Sequence, residues 1–599
     1  MKAENQVDHL HREDYERRYD FQNLNHQTLI HTRNRPCESL NGKWHFTVDP
    51  YDTGLRANWN ILEPKDAAGR RLPWDYEWDG GDEITVPSCW NLFKPEYFYY
   101  EGSAWYAREL SCAPENPGER VFLRVGAANY DTKVFINQEY LGNHCGGSTP
   151  FVVELTGKLE PRNVVQLCVN NTRNTQRVPM RNTDWFNYGG VYRDVALFRL
   201  PADFIQDFFL YLEPDDTYQT IRFAVRADKN DAAGPVLLEI PELAVSQTIP
   251  LQNGRGELTF TAKPELWSPE HPRLYEVRLS YKNDRITDRV GFRQIKAEGT
   301  RVLLNGKDLF LRGICAHEDD PELGKCSNEA DIRRRFADAK ELGCNFMRLA
   351  HYPHTELASE IADEVGMLLW EEIPVYWAID FENPATYRDA ENQLLELIRR
   401  DRNRASVIIW SVGNENADSD ERLSFMSRLA RAAKTDDPSR LVSAACLVNH
   451  TRHKIEDRLA EHLDVIGINE YYGWYDRDFT KLELLGENSD PGKPVIISET
   501  GADALAGFHS DPPELFSEEY QAEVYEKQVA ILGRFEYIRG ISPWILYDFR
   551  ASRRFNRYQQ GYNRKGLIAM DKKTRKPAFY VLRDFYLKKA IGERDPSGK

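Results

Sequence analysis

Two glutamates in this sequence each close an apolar run: Glu415 ends VIIWSVGNE and Glu499 ends PVIISE. A carboxylate nucleophile and a protonated carboxyl about 5–5.5 Å apart are what retaining hydrolysis of a glycosidic bond requires. Residues so distant in the chain meet only if a fold brings two strand ends together. The ends of the neighbouring apolar runs add His317, Glu318 and Asp319, His351, Glu371 and Glu372, Asn414, Asn469 with Tyr471 and Tyr475, and Trp544. Carboxylates, amides and aromatic rings dominate that inventory. It holds no Ser–His–Asp arrangement and no phosphate cradle. His317, Glu318 and His351 raise a metal site, but no HExxH or tight histidine cluster supports it, so no metal or other cofactor is expected.

Parallel strands whose C-terminal ends open on loops deliver side chains in this way. From about Ala297, apolar runs such as NFMRLAHYP, MLLWEEIP and DVIGINEYYG alternate with helix-patterned stretches such as NEADIRRRFADAKELG and TYRDAENQLLELIRRDRN. Eight strand–helix repeats over about three hundred residues indicate a (β/α)8 barrel at 297–599. A Rossmann-type open sheet is the competitor, and no GxGxxG follows any strand. Residues 1–199 read instead as short alternating runs between turn signals, the pattern of a jelly-roll sandwich. Residues 200–296, with IRFAVRAD, VLLEI, RGELTFTA and LYEVRLSYKN, have the length and pattern of an immunoglobulin-like sandwich. The expected fold class is therefore multidomain, β with α/β.

Composition sets outer bounds. A chain of 599 residues is too long for one core. The net charge of −16, with no basic stripe, argues against a nucleic-acid partner. No apolar run approaches membrane-spanning length and no signal peptide is visible. Nine scattered cysteines without a CxxC pair fit free thiols in a reducing compartment, so the expected address is cytoplasmic. The basic run DKKTRKP (571–577) reads as a solvated connection to the last helix.

The segments NRASVIIWSVGNEN and VIISETGA resemble the acid/base and nucleophile signatures of glycoside hydrolase family 2, and NYGGVYRDVALF resembles the end of that family's sugar-binding domain. The order of jelly roll, immunoglobulin-like sandwich and barrel is similar too, so the resemblance covers nearly the whole chain. It implies Glu415 as general acid/base, Glu499 as nucleophile, and Asn414 as the group that bonds the sugar 2-hydroxyl. Glu415 should then be held protonated by burial and by the Glu499 anion. Glu499 should be kept ionised by a tyrosine hydroxyl or by an arginine such as Arg348.

The family includes β-galactosidases, β-mannosidases and β-glucuronidases. YNRKGLIAMDKKTRKPAF resembles the Asn-x-Lys segment with which β-glucuronidases hold the C6 carboxylate, which implies that role for Asn563 and Lys565. N-x-K also occurs at Asn41–Lys43 and Asn305–Lys307, where NGK reads as a hairpin turn. A neutral sugar would leave the Lys565 cation unpaired, which adds rejection to attraction. NTDWFNYGG implies that Asp184 reaches the sugar hydroxyls, and NEYYGWY implies sugar contacts for Asn469, Tyr471 and Tyr475. His351 joins that wall, Trp544 is implied as the sugar platform, and Arg557 as a second cation near the carboxylate.

Two features depart from the better-known members. The segment RASRRFNRYQQGY before Asn563 is longer, and EEIPVYWAIDFENPATYRDAEN runs from the third strand to its helix without a long insertion. The short passage implies an open site that admits larger conjugates. The expected substrates are small glucuronide conjugates or uronic-acid glycans, and the expected assembly is a homodimer or homotetramer. A β-galacturonidase, a β-galactosidase and a non-catalytic carbohydrate-binding protein are the alternatives. The last would predict loss of one glutamate, and both are present.

Overall fold

The computed structural model describes residues 19, 24–25, 29–32, 35–73, 76–111 and 116–594. Of the nine cysteines, Cys112 lies outside the described residues, and the other eight are free thiols.

The first sandwich stacks a six-stranded antiparallel sheet on a four-stranded one. Alternation drives this: Gly42–Asp49 (GKWHFTVD) buries Trp44 and Phe46 on one face, and in the register with Ser103–Leu110 Phe46 meets Tyr106 and Val48 meets Ala104. The first NGK is not a hairpin. Cys37–Ser39 pairs with Val195–Pro201 in one sheet, and Gly42 pairs with Val86 in the other, so Asn41 carries the chain between layers. The NGK at 305–307 does form a tight turn, with Asn305 at φ 52° and Gly306 at 75°, between Arg301–Leu304 and Lys307–Asp308. The second sandwich packs sheets of three and four strands over Phe208, Phe223, Leu238 and Val277.

The barrel strands are β1 (Leu311–Arg312 and Cys315–Ala316), β2 (Phe346–Leu349), β3 (Leu368–Glu372) and β4 (Val407–Asn414), then β5 (Leu441–Cys446), β6 (Ile466–Asn469), β7 (Val495–Glu499) and β8 (Ile538–Ile541). All pair in parallel, and β1 closes the ring: Leu311 pairs with Gly540 of β8 and Cys315 with Arg348 of β2. Burial on both faces explains why these strands read as unbroken apolar runs; all eight residues of β4 are buried.

The helices form where the sequence pattern placed them. Asn328 caps Glu329–Glu341 in a reciprocal pair with Asp331, an arrangement worth about 1 kcal/mol. The connection between β5 and β6 differs from the expected repeat, since it is a short antiparallel hairpin, Val448–Asn449 with Lys454–Ile455, followed by a 3-10 turn, Arg458–His462, with no α-helix. Ile455, Leu459 and Leu463 still reach the barrel core, so the hairpin and turn bury the apolar residues that a helix would otherwise carry. Asp457 is committed there to the buried Arg422, at 2.6 and 2.9 Å.

Candidate active site

The end of β4 is shaped by close packing. A Cβ at Gly413 would lie 2.4 Å from Met426 Cε, 2.6 Å from Asn416 Oδ1 and 3.1 Å from Val375 O, so any larger residue would have to displace these neighbours. Asn414 then donates its backbone N–H to Val375 O at 2.9 Å. Glu415 turns into the left-handed region at φ 51°, a conformation that costs of order 1 kcal/mol and recurs at functional sites. Trp377, at φ 53°, donates its indole N–H to Glu415 Oε2 at 2.7 Å. Burial first, and the Glu499 anion second, raise the Glu415 carboxyl above its ordinary range, against the hydrogen bonds from Trp377 and Asn469.

Glu499 ends β7 with both oxygens engaged. Oε1 accepts from Arg348 Nη1 at 2.8 Å and Oε2 from the Tyr471 hydroxyl at 2.7 Å. Both donors expected from the sequence are therefore in place. Arg348 is fully buried and splits its guanidinium among Glu499, Glu372 and the Asn414 carbonyl. Burial alone would raise Glu372, but Arg348 and His351 hold it at about 2. The alternation of β3 sends its neighbour Glu371 the other way, against Asp401 and Arg400. The Asn414 side-chain oxygen accepts from Arg348 at 2.8 Å and from Asn469 at 3.1 Å, and its buried amide nitrogen has no partner among the described residues. His351 bonds Glu372 at 2.8 Å and stacks on the nearly buried Trp544, ring centroids 4.8 Å apart.

A second cluster adjoins the first through Tyr471 and Tyr475, whose rings lie 5.3 Å apart. Lys565 is 1 % exposed and donates to Asp503 at 2.7 Å and to the Tyr475 hydroxyl at 3.1 Å. Asn563 accepts from the Lys565 backbone at 3.1 Å and donates to Asp184 at 3.3 Å. Asp184, from the first sandwich, is forked by the Arg554 guanidinium, whose Nε lies 3.0 Å from Oδ1. Burial works against it, but Lys565 and Arg554 lower the Tyr475 phenol below its ordinary range.

Two expectations fail here. Arg557 is exposed and lies on Tyr558, 4.6 Å from Cζ to ring centroid; the cation that reaches this cluster is Arg554, three residues earlier. The longer loop explains the shift, because Arg554 N bonds Ala551 O at 3.1 Å and the loop closes there on Gly561. Nor is Lys565 an unpaired cation awaiting substrate, since Asp503 already neutralises it.

The three domains match family descriptions in order. Residues 37–201 match the sugar binding domain of glycosyl hydrolases family 2, 204–293 a model described simply as glycosyl hydrolases family 2, and 295–591 the family's TIM barrel domain. A β-glucuronidase of Pongo abelii is 30 % identical over 94 % of this chain and 93 % of its own length. The chain belongs to glycoside hydrolase family 2. Among its relatives, a β-glucuronidase of Paenibacillus borealis is 28 % identical over 91 % of this chain and 96 % of its own length. The fold also matches the crystal structure of Ruminococcus gnavus β-glucuronidase, with TM-score 0.81 and 26 % identity over 94 % of this chain and all of that one. That enzyme in complex with D-glucuronic acid matches at TM-score 0.79, again at 26 % identity and the same coverage.

Within this family 2 frame, Glu318 and Asp319 join the barrel to the first sandwich. Glu318 accepts from Arg193 of the first sandwich at 2.8 Å, and Asp319 from Tyr188 at 2.8 Å. His317 sits 6 % exposed among Trp185, Trp544 and Phe549, and among the described residues no cluster could hold a metal ion. The basic run leads into the last helix with Asp571, Lys573 and Thr574 exposed, as expected, but Lys576 departs from that reading: it is fully buried and bonded to Asp548 at 2.9 Å. Sequence reasoning missed Trp377, Asp503, Arg554 and Trp185, which packs on His351 and Tyr376 from the other domain. Asp503 had a signal, four residues beyond Glu499 on the same strand exit; Trp185 had none beyond its place beside Asp184.

Proposed function

We propose that the protein is a retaining β-glucuronidase, with Glu499 as nucleophile and Glu415 as acid/base. The observation that carries this reading is the cluster of hydrogen-bonding groups from Lys565, Arg554, Tyr475 and Asn563 beside the two glutamates. A C6 carboxylate there gains charge-assisted hydrogen bonds. The β-glucuronidase names of the relatives support the same substrate.

In the first step Glu499 attacks the anomeric carbon while Glu415 gives its proton to the leaving oxygen, and the bond to the aglycone breaks. In the second, Glu415 as base takes a proton from water, whose oxygen displaces Glu499 with overall retention. The free Asn414 amide N–H has the donor character that a sugar 2-hydroxyl needs, and the contact strengthens as the ring flattens. Arg348 and Tyr471 keep Glu499 ionised before attack and stabilise it as leaving group afterwards. The substrates are small glucuronides or uronic-acid glycans. A cytoplasmic address fits the eight free thiols, and assembly as a homodimer or homotetramer fits Tyr580, Leu587 and Ile591, which stand exposed on the last helix.

The test is initial rates on 4-nitrophenyl β-glucuronide, β-galacturonide, β-galactoside and β-glucoside. Turnover of the glucuronide above the other three is expected. Glu415→Ala should lose about 10²–10⁴ in rate, and azide should restore turnover by forming β-glucuronosyl azide. Equal turnover of the galactoside would sink the uronic-acid assignment, and an α-azide product would sink the retaining assignment of Glu415.

A further inference from the structure

The acid/base glutamate marks where the leaving group must sit, because its proton goes to the aglycone oxygen. Trp377 is fixed at that place by three hydrogen bonds. Its indole N–H goes to Glu415, its backbone N–H donates to Asn414 O at 2.9 Å, and its carbonyl accepts from Asn416 Nδ2 at 2.8 Å. The ring remains partly open to solvent, since the passage from β3 to the helix Pro384–Asp401 is short.

Onto that ring comes Arg553, with Cζ 5.0 Å from the centroid. Arg553 and Arg554 are consecutive and diverge. Arg554 is clamped to Asp184 and faces Tyr475, at the end assigned to the C6 carboxylate. Arg553 leans the other way, toward the aglycone end. The charges differ as well as the directions. Arg348 is neutralised by Glu372 and Glu499, Lys565 by Asp503, and Arg554 by Asp184. The Arg553 guanidinium is exposed and has no hydrogen bond or ion pair among the described residues. A guanidinium held over an aromatic ring face by cation–π attraction keeps N–H groups free for a carboxylate or sulfate. In a chain of net charge −16, an uncompensated cation at this spot stands against the protein's overall field.

We infer that Arg553 and Trp377 form an aglycone subsite for leaving groups that carry a negative charge, a carboxylate or a sulfate. The inference rests on the glucuronidase reading above. The anion bonds the Arg553 fork while the ring that bears it packs on Trp377, and the glycosidic oxygen faces Glu415.

The test compares kcat/KM for 4-carboxyphenyl, 4-sulfophenyl and 4-carbamoylphenyl β-D-glucuronides in the full chain and in Arg553→Gln and Arg553→Lys. Comparing each variant with the wild type on the same substrates cancels differences in leaving-group reactivity. Arg553→Gln should lower the ratio of anionic to neutral substrate by about two- to fivefold, the size of an exposed ion pair, with the neutral substrate changed by less than about twofold. Arg553→Lys should keep part of the preference, and about 0.5 M salt should erode it in the wild type. A response confined to the carboxylate or to the sulfonate, which stands in for a sulfate, supports the subsite and identifies its anion. Equal losses on neutral and anionic substrates, or no change in either, would overturn it. Failure of the wild type to cleave any of the three would bring down the glucuronidase reading itself.

Discussion

Removing the Lys565 ammonium should separate two quantities that a single substitution confounds. Its side chain is 1 % exposed and that of Asp503 is 0 %, with Nζ and Oδ2 2.7 Å apart. Lys565→Met keeps the bulk of the stem but orphans a buried carboxylate, which retains only the Arg564 N–H at 2.8 Å and Gln559 Nε2 at 3.2 Å. Breaking a buried pair from one side costs about 3–5 kcal/mol of stability. The activity lost is a different quantity. One charge-assisted hydrogen bond to the substrate carboxylate is worth about 1.5–3 kcal/mol, or roughly a 10- to 150-fold fall in glucuronide kcat/KM. Adding Asp503→Asn removes the orphaned charge, so the double variant should regain most of the lost stability while glucuronide turnover stays low. The assay is a melting curve together with kcat/KM on 4-nitrophenyl β-glucuronide and β-glucoside, for both single variants and the double. Recovery of glucuronide turnover along with stability would refute the reasoning, because Lys565 would then act only through the fold. So would an equal loss on the glucoside.

Trp377→Phe removes a hydrogen bond that favours the Glu415 anion, so its carboxyl should rise further and the alkaline limb of the kcat/KM profile should move to higher pH; a downward or absent shift contradicts the assignment. Arg554→Ala should weaken glucuronide kcat/KM about tenfold or more, whereas Arg557→Ala should change it by less than about twofold, both read by initial rates. In the folded protein the fully buried Glu318 titrates at about 2, brought down by Arg193 and the Thr355 N–H against a burial effect that would raise it. The unfolded chain protonates at the ordinary 4.5, so this stabilisation, of order 3 kcal/mol, is whole above about pH 4.5 and lost as pH falls toward 2. Glu318→Gln should flatten that part of an acid-unfolding curve, and an unchanged slope would remove Glu318 from the account.

The architecture was legible because each domain repeats one local rule: alternation in the sandwiches, and doubly buried apolar runs in the barrel. The two glutamates were legible for a related reason, since a carboxylate directly after such a run is placed by the strand itself. Where placement depends on a loop, sequence falls short. Arg554 and Arg557 are three positions apart in one irregular segment, and only the turn at Ala551 and its closure on Gly561 decide which enters the site. The neutralisation of Lys565 was hidden similarly, because Asp503 arrives from another strand exit. The fifth connection breaks the expected repeat because Ile455, Leu459 and Leu463 reach the core through a hairpin and a 3-10 turn, an irregular path that a periodic pattern does not reveal.

The reach of the first sandwich into the barrel mouth has a consequence for how this pocket could change. Asp184 holds Arg554, and Trp185 packs on His351, yet neither residue belongs to the domain that bears Glu415 and Glu499. Transplanting the barrel alone into another scaffold would carry over the reactive pair and leave part of the recognition behind. Conversely, a sugar preference could be rewritten by substitutions in a domain that touches no bond being broken.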